Sequence, residues 1–208
     1  MHPAIAHDLA FLAPGLVHQF GNLLLTIQGH TLHLAPEAGA VSRAKTVVLN
    51  ACDRGAGSLR ILRHLLGGSS PEQAHAHDAL AQLVELLRIP VREAGHTLDH
   101  AAADEGDGPL VSLDAFVPLT VALVRILVGG VPHGVRGEVR LALARGAALA
   151  LVATFRPAAG SLPFPLATEP ALRLLRTEAV HRGWPHRLES TPDGLVARLP
   201  GVMGVMEA

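Results

Sequence analysis

The chain has 208 residues, enough for one large domain or two small ones. Its hydrophobic content of 49% supports a sizeable core and excludes a disordered chain, while aromatics at 3% leave Leu, Val and Ala to build that core. A formal net charge of −1 gives no sign of nucleic acid or an anionic membrane as partner, and the single cysteine, Cys52, excludes an internal disulfide framework and a cysteine zinc site.

The first residues, Met-His-Pro-Ala-Ile-Ala-His-Asp, lack the basic and apolar regions of a signal peptide. The longest apolar runs, such as 146–155, fall short of the about 20 residues that span a bilayer. The expectation is a cytoplasmic protein without membrane anchor or sensor domain.

Residues 4–34 read as one long helix, with Pro14-Gly15 as a kink or a second start. Within it, His18 and Asn22 are four residues apart and share a helical face, with Gly21 and Gly29 close to that face. Val17, Phe20, Leu24, Ile27, Thr31 and Leu34 recur by threes and fours as the apolar seam of a bundle helix. Each glycine costs a helix about 1 kcal/mol against alanine, so two beside an exposed histidine point to close approach of another backbone.

Residues 35–40 break the helix, and a second helix is predicted over 42–66 with Ser42 as its cap. The two helices form an antiparallel hairpin. A lone hairpin cannot cover its seam, so a homodimer forming a four-helix bundle is expected. Gly67-Gly68-Ser69-Ser70-Pro71 is the clearest linker, which divides the chain into a helical hairpin at 1–68 and a second domain at 72–208. A helix over 78–94 follows, then a strand within 95–103, a turn at 104–109 and a helix over 114–128 ending at Gly129-Gly130. Residues 138–144 and 147–155 read as a hairpin turning at Arg145-Gly146. Residues 160–165 are loop, 169–181 helix, and 187–199 two strands around Pro192-Asp193-Gly194. The fold class is α+β: a long helical hairpin followed by an α/β sandwich.

His18-Gln19-Phe20-Gly21-Asn22-Leu23-Leu24 with Gly29 resembles the H-box of two-component histidine kinases and the related histidine phosphotransferases. The box departs from the family at Gln19, where an acid is usual. The element order after the hairpin looks like the ATP-binding domain of those kinases. The resemblance implies that ATP would be held by asparagines on one helix, an Asp-x-Gly-x-Gly loop and a second glycine-rich segment. Here those places read Val124-Arg125-Ile126-Leu127, Thr154 to Gly160 without Asp, and Thr168-Glu169-Pro170-Ala171-Leu172. All three depart together, and glutamine at 19 cannot act as the general base of a kinase.

The reading the resemblance supports is a histidine phosphotransferase built on a degenerate kinase skeleton. His18 would pass a phosphoryl group between the aspartates of response-regulator receiver domains. Imidazole is a competent nucleophile when neutral. The protein itself needs no cofactor, since the Mg²⁺ belongs to the receiver. Asn22 would orient the imidazole, bind the phosphoryl oxygens or place a water, and Gln19 would hydrogen-bond across the interface. Gly21, Leu25 and Gly29 would form the receiver-binding face. The competing reading is a non-catalytic, pseudokinase-like dimeric scaffold or inhibitor. A true ATP-dependent kinase comes third.

With 13 histidines, spacing alone proves little. His30/His33, His75/His77 and His96/His100 invite a metal, but no pair has the further ligands a metal needs. On a strand, 96 and 100 stand about 13 Å apart. Arg54, Arg60 and Arg63 read as a solvated face of the second helix.

Overall fold

Helix α1 runs from Pro3 to Leu32 and helix α2 from Ala38 to Leu66. The computed structural model describes residues 3–32, 38–67, 71–101, 109–144, 149–158, 168–182 and 187–199. Leu23 of α1 lies against Gly55 of α2, and Gln19 against Ser58, so the two helices run antiparallel. A Cβ at Gly55 would sit 2.8 Å from Leu23 Cδ2, and the buried Ala44 and Ala51 continue the same small-residue stripe. Close approach of the two helices therefore rests on small side chains in α2 and larger ones in α1.

Pro14 lies inside α1, which is continuous through it. The neighbouring Gly15 has a role other than the expected kink or second start. A Cβ there would fall 2.1 Å from the carbonyl oxygen of Leu86, so this is where α1 crosses the backbone of helix α3, Ala76–Glu93. Helix α2 begins four residues before Ser42, which is therefore interior and not a cap. The Ser42 carbonyl accepts from Thr46 Oγ1 at 3.2 Å, as a helical residue does. At its other end Gly67, at φ +71, closes α2 by donating to the His64 carbonyl. Residues 33–34 of the expected first helix, 35–37 of the expected break and 68–70 of the expected linker lie outside the described residues, while 38–40 of the expected break belong to α2.

After the hairpin come β1 (Gln73–His75), α3, β2 (His96–His100), β3 (Leu110–Ser112) and α4 (Leu113–Gly129). Then follow β4 (Gly137–Ala144), β5 (Ala150–Pro157), α5 (Thr168–Arg182), β6 (Arg187–Thr191) and β7 (Gly194–Arg198). Five strands form one sheet in the order β2-β4-β5-β7-β6, with β2 parallel to β4 and the other pairs antiparallel. Strands β1 and β3 form a separate antiparallel ribbon, a feature three residues wide and too short to show alternation in sequence. The expected turns at 104–109 and Arg145-Gly146 and the loop at 160–165 fall mostly or wholly outside the described residues.

Val139, Leu141, Leu151, Ala153 and Phe155 are buried, while Glu138 and Arg140 point the other way. That alternation gives the sheet one apolar face, and α3, α4 and α5 cover it. Helix α4 is apolar almost all round and accordingly buried on nearly every side. Leu12 of α1 and Ile61 and Leu65 of α2 join the same core, so the base of the hairpin is packed into the second layer. The fold is α+β, a helical hairpin followed by a helix-covered mixed sheet.

The upper hairpin is barely covered. Over Pro3–His30, α1 is long and apolar enough by composition to cross a membrane, with 11% of its most apolar window buried. Unbroken apolar runs in the sequence do not reveal this, because His18, Gln19, Asn22 and Gln28 interrupt the run while the many Leu, Ile, Val and Phe keep the mean high.

Candidate functional site

His18 projects from the exposed side of α1, and the Asn22 Nδ2 amide donates to its Nε2 at 3.0 Å. A donor at Nε2 fixes the ring tautomer: the proton sits on Nδ1 and the Nε2 lone pair faces the amide. The Asn22 carbonyl in turn accepts from Thr26 Oγ1 at 2.8 Å, one turn further along. The sequence spacing thus becomes a contact.

Gln19 points another way. It is half-buried toward α2, where its Oε1 accepts from the Ser58 hydroxyl at 2.5 Å. Ser58 is buried, so this is an interhelical bond that the sequence did not reveal. Gln19 and Asn22 line a groove of about 620 Å³ between α1, α2 and α3, with Asp53 and Arg54 on the α2 side and Glu85 on the α3 side.

Gly21 and Gly29 have open space around them: a Cβ at either would meet nothing within 4 Å. Contacts within this chain therefore do not require glycine at either place. Leu25 is 67% exposed, with Leu24 at 65% and Val17 at 73% beside it. The candidate site is an uncovered helical face carrying one imidazole, one amide and several apolar side chains.

Two charge clusters went unseen in the sequence. Asp8, fully buried on α1, receives Arg125 Nε of α4 at 2.8 Å and Arg182 Nη2 of α5 at 2.6 Å. Arg125 Nη2 also donates to Glu178 Oε1 at 2.5 Å. Burial pushes the Asp8 carboxyl above its usual range, against the pull of both guanidiniums. For Arg125 burial pulls down, but bonds to Glu178 and Asp8 win and raise it. In the second cluster the buried His64 of α2 lies 2.7 Å from Asp114 Oδ1 through Nδ1 and 2.8 Å from Glu72 Oε2 through Nε2. Arg60 closes on Glu72 at 2.7 Å and holds that carboxyl below its usual range, with His64 adding to the effect. Arg60 is thus an ion-pair partner and not part of a solvated face. One signal was available: Arg125 is the only charged residue in α4 after its first turn.

Among the described residues no group of three or more His, Cys, Asp or Glu side chains is arranged to hold a metal. His33 lies outside them.

No protein-family model matches the chain, and no curated protein sequence matches it. Among solved structures, a bacterial phosphotransferase is similar at 17% identity and a TM-score of 0.37, over 95% of this chain and 97% of that one. The Acinetobacter baumannii histidine kinase AdeS is similar at 10% identity and a TM-score of 0.42, over 89% of this chain and 98% of that one. At this coarse level the chain is similar to a phosphotransferase and to a histidine kinase, and no residue role is carried over from either.

Proposed function

We propose that the chain is a histidine phosphotransferase of a two-component phosphorelay, carrying a phosphoryl group between receiver aspartates on His18 without binding ATP. The observation that carries this reading is the exposed His18 with its Nε2 lone pair oriented by Asn22. In the forward step that lone pair attacks the phosphorus of a receiver's aspartyl phosphate. The N–P bond forms as the P–O bond to the carboxylate breaks, and the carboxylate leaves as the anion. Nε2 has a single lone pair, so Asn22 releases it as the phosphorus approaches and turns its N–H to a phosphoryl oxygen. Transfer to a second receiver is the reverse step, with Mg²⁺ supplied by the receiver each time.

Two features support a transfer independent of ATP. Gln19 has no proton-accepting group, and its carbonyl is held by Ser58. Arg125, on the helix where the resembled kinases place asparagines, is bound to Asp8 and Glu178.

The same proposal includes the division at 1–68 and 72–208 and a homodimer. Along α2, Leu49, Cys52, Ala56, Leu59, Arg63 and Leu66 alternate by three and four, and all are exposed. A second hairpin laid on this stripe and on Val17 and Leu24 would complete a four-helix bundle, each covered leucine, already about half buried, contributing roughly 1 kcal/mol.

The test is incubation with a panel of phosphorylated receiver domains, following acid-labile phosphate on the chain. Label on the wild type and none on His18→Ala supports transfer through His18. Receiver binding with no label from any donor favours the scaffold reading instead.

A further inference from the structure

At one end of the five-stranded sheet lies a cavity of about 680 Å³, away from the hairpin and its histidine. Arg92 from the last turn of α3, Arg136 just before β4 and Arg156 near the end of β5 line it, together with Glu138 and His96. Six other arginines, Arg60, Arg88, Arg125, Arg182, Arg187 and Arg198, each hold a carboxylate, while Arg43, Arg54, Arg63, Arg140, Arg173 and Arg176 are scattered over other surfaces and hold none among the described residues. Among the described residues Arg92, Arg136 and Arg156 form no ion pair, although Glu138 stands opposite Arg156 in the ladder. Three guanidiniums against one carboxylate leave the cavity positive.

His96 supplies the second, independent observation. It is 5% exposed, and its Nδ1 is buried with no hydrogen-bond partner. Its ring is fixed edge-on against Phe155, centroids 5.1 Å apart. Phe155 in turn lies where a side chain at Gly137 would be, its ring 2.5 Å from that Cβ position. A buried polar nitrogen without a partner is destabilising, and a ligand oxygen brought within its reach would satisfy it.

We propose that this cavity binds a small phosphorylated molecule, its phosphate oxygens held by Arg92, Arg136 and Arg156, with His96 Nδ1 donating at the inner wall. The guanidinium fork matches phosphate oxygens in pairs. The volume falls within the roughly 300–1,000 Å³ of small-molecule sites, which suits a compact ligand better than a protein surface.

Inorganic pyrophosphate titrated into the full chain at about 150 mM salt, followed by calorimetry, tests the site. Saturable binding of one molecule per chain is expected, weakened at least about tenfold in the Arg136→Gln/Arg156→Gln double variant and unchanged in Arg88→Gln, whose arginine is paired with Glu85. The ¹⁵N signal of His96 Nδ1 in the wild type should move on saturation, a readout that needs no variant. Absence of saturable binding, an equal loss in Arg88→Gln, or an unmoved His96 signal at saturation would overturn the proposal. So would an aspartate-rich peptide that displaces pyrophosphate and binds more tightly.

Discussion

Asn22 donates from its side-chain amide to Nε2 of His18 across one helical turn, at 3.0 Å. The bond does two things at once. It selects the tautomer that leaves Nε2 as the nucleophile, and it places a donor where a phosphoryl oxygen would come to rest. We therefore predict that Asn22→Ala alters the lifetime of the phosphorylated histidine more than its formation. A hydrogen bond to a charged group is worth about 1.5–3 kcal/mol, so a change of about tenfold or more is expected. A longer lifetime would indicate that Asn22 places a hydrolytic water, and a shorter one that it shields the phosphoryl group. An unchanged lifetime in a pulse-chase of acid-labile label would remove Asn22 from the site.

The Gln19–Ser58 bond predicts how the H-box departure behaves. Glutamate at 19 can accept from the Ser58 hydroxyl as the amide does, so Gln19→Glu should fold and dimerise as the wild type. It should gain no autophosphorylation from Mg²⁺-ATP, since an acid at 19 replaces only one of the kinase features that are lacking. Ser58→Ala leaves Gln19 Oε1 without its partner and should lower stability by about 1 kcal/mol, read as a fall of a few degrees in Tm.

Much of this architecture was legible because its periodicities are long. The thirty residues of α1 and the buried stripe of α3 show the 3.6-residue pattern, and β4 and β5 alternate strongly enough to mark the sheet. The ribbon of β1 and β3 was not legible, since three residues carry no period. The start of α2 was misplaced because Ser42 looks like a cap wherever it stands, and only its place four residues inside the helix decides otherwise. At the candidate site the spacing of His18 and Asn22 was sufficient, since both lie on one helix. The ties of Gln19 to Ser58, His64 to Asp114 and Asp8 to Arg182 join residues 39, 50 and 174 positions apart, and no local pattern encodes them.

The exposed stripe on the hairpin predicts an assembly that charge should dissolve. Leu24 is 65% exposed and Leu59 51%, so neither supports the fold of a single chain. Leu24→Glu/Leu59→Glu should convert a dimer to a monomer in sedimentation while the circular dichroism of the sheet and helices stays close to that of the wild type. A monomeric wild type, or a variant that still dimerises, would refute the proposed bundle.

Asp8 fastens the start of α1 to α4 and α5 through two arginines. Removing Asp8 takes one carboxylate from two guanidiniums, of which Arg125 keeps Glu178, at a cost of about 1–3 kcal/mol. We expect Asp8→Ala to lose about that much in urea denaturation. It should also increase amide exchange at the base of α1 more than around His18, since the hairpin tip makes few contacts with the sheet layer. A variant as stable as the wild type would show that apolar packing at Leu12, and not the ions, holds the base.

Glu72 gives a prediction with a definite sign. Arg60 first, and His64 after it, hold its carboxyl below the ordinary glutamate value in the folded protein. A carboxyl of lowered folded pKa contributes stability that is present above its unfolded pKa and lost as pH falls through the folded one. The stability gap between wild type and Glu72→Gln should therefore be widest near neutral pH. It should begin to narrow as pH drops past about 4.5 and close below the folded value. Chemical denaturation at stepped pH reads this directly. A gap that stayed constant, or widened on acidification, would mean that the Arg60–Glu72–His64 contacts do not depend on the charge of Glu72.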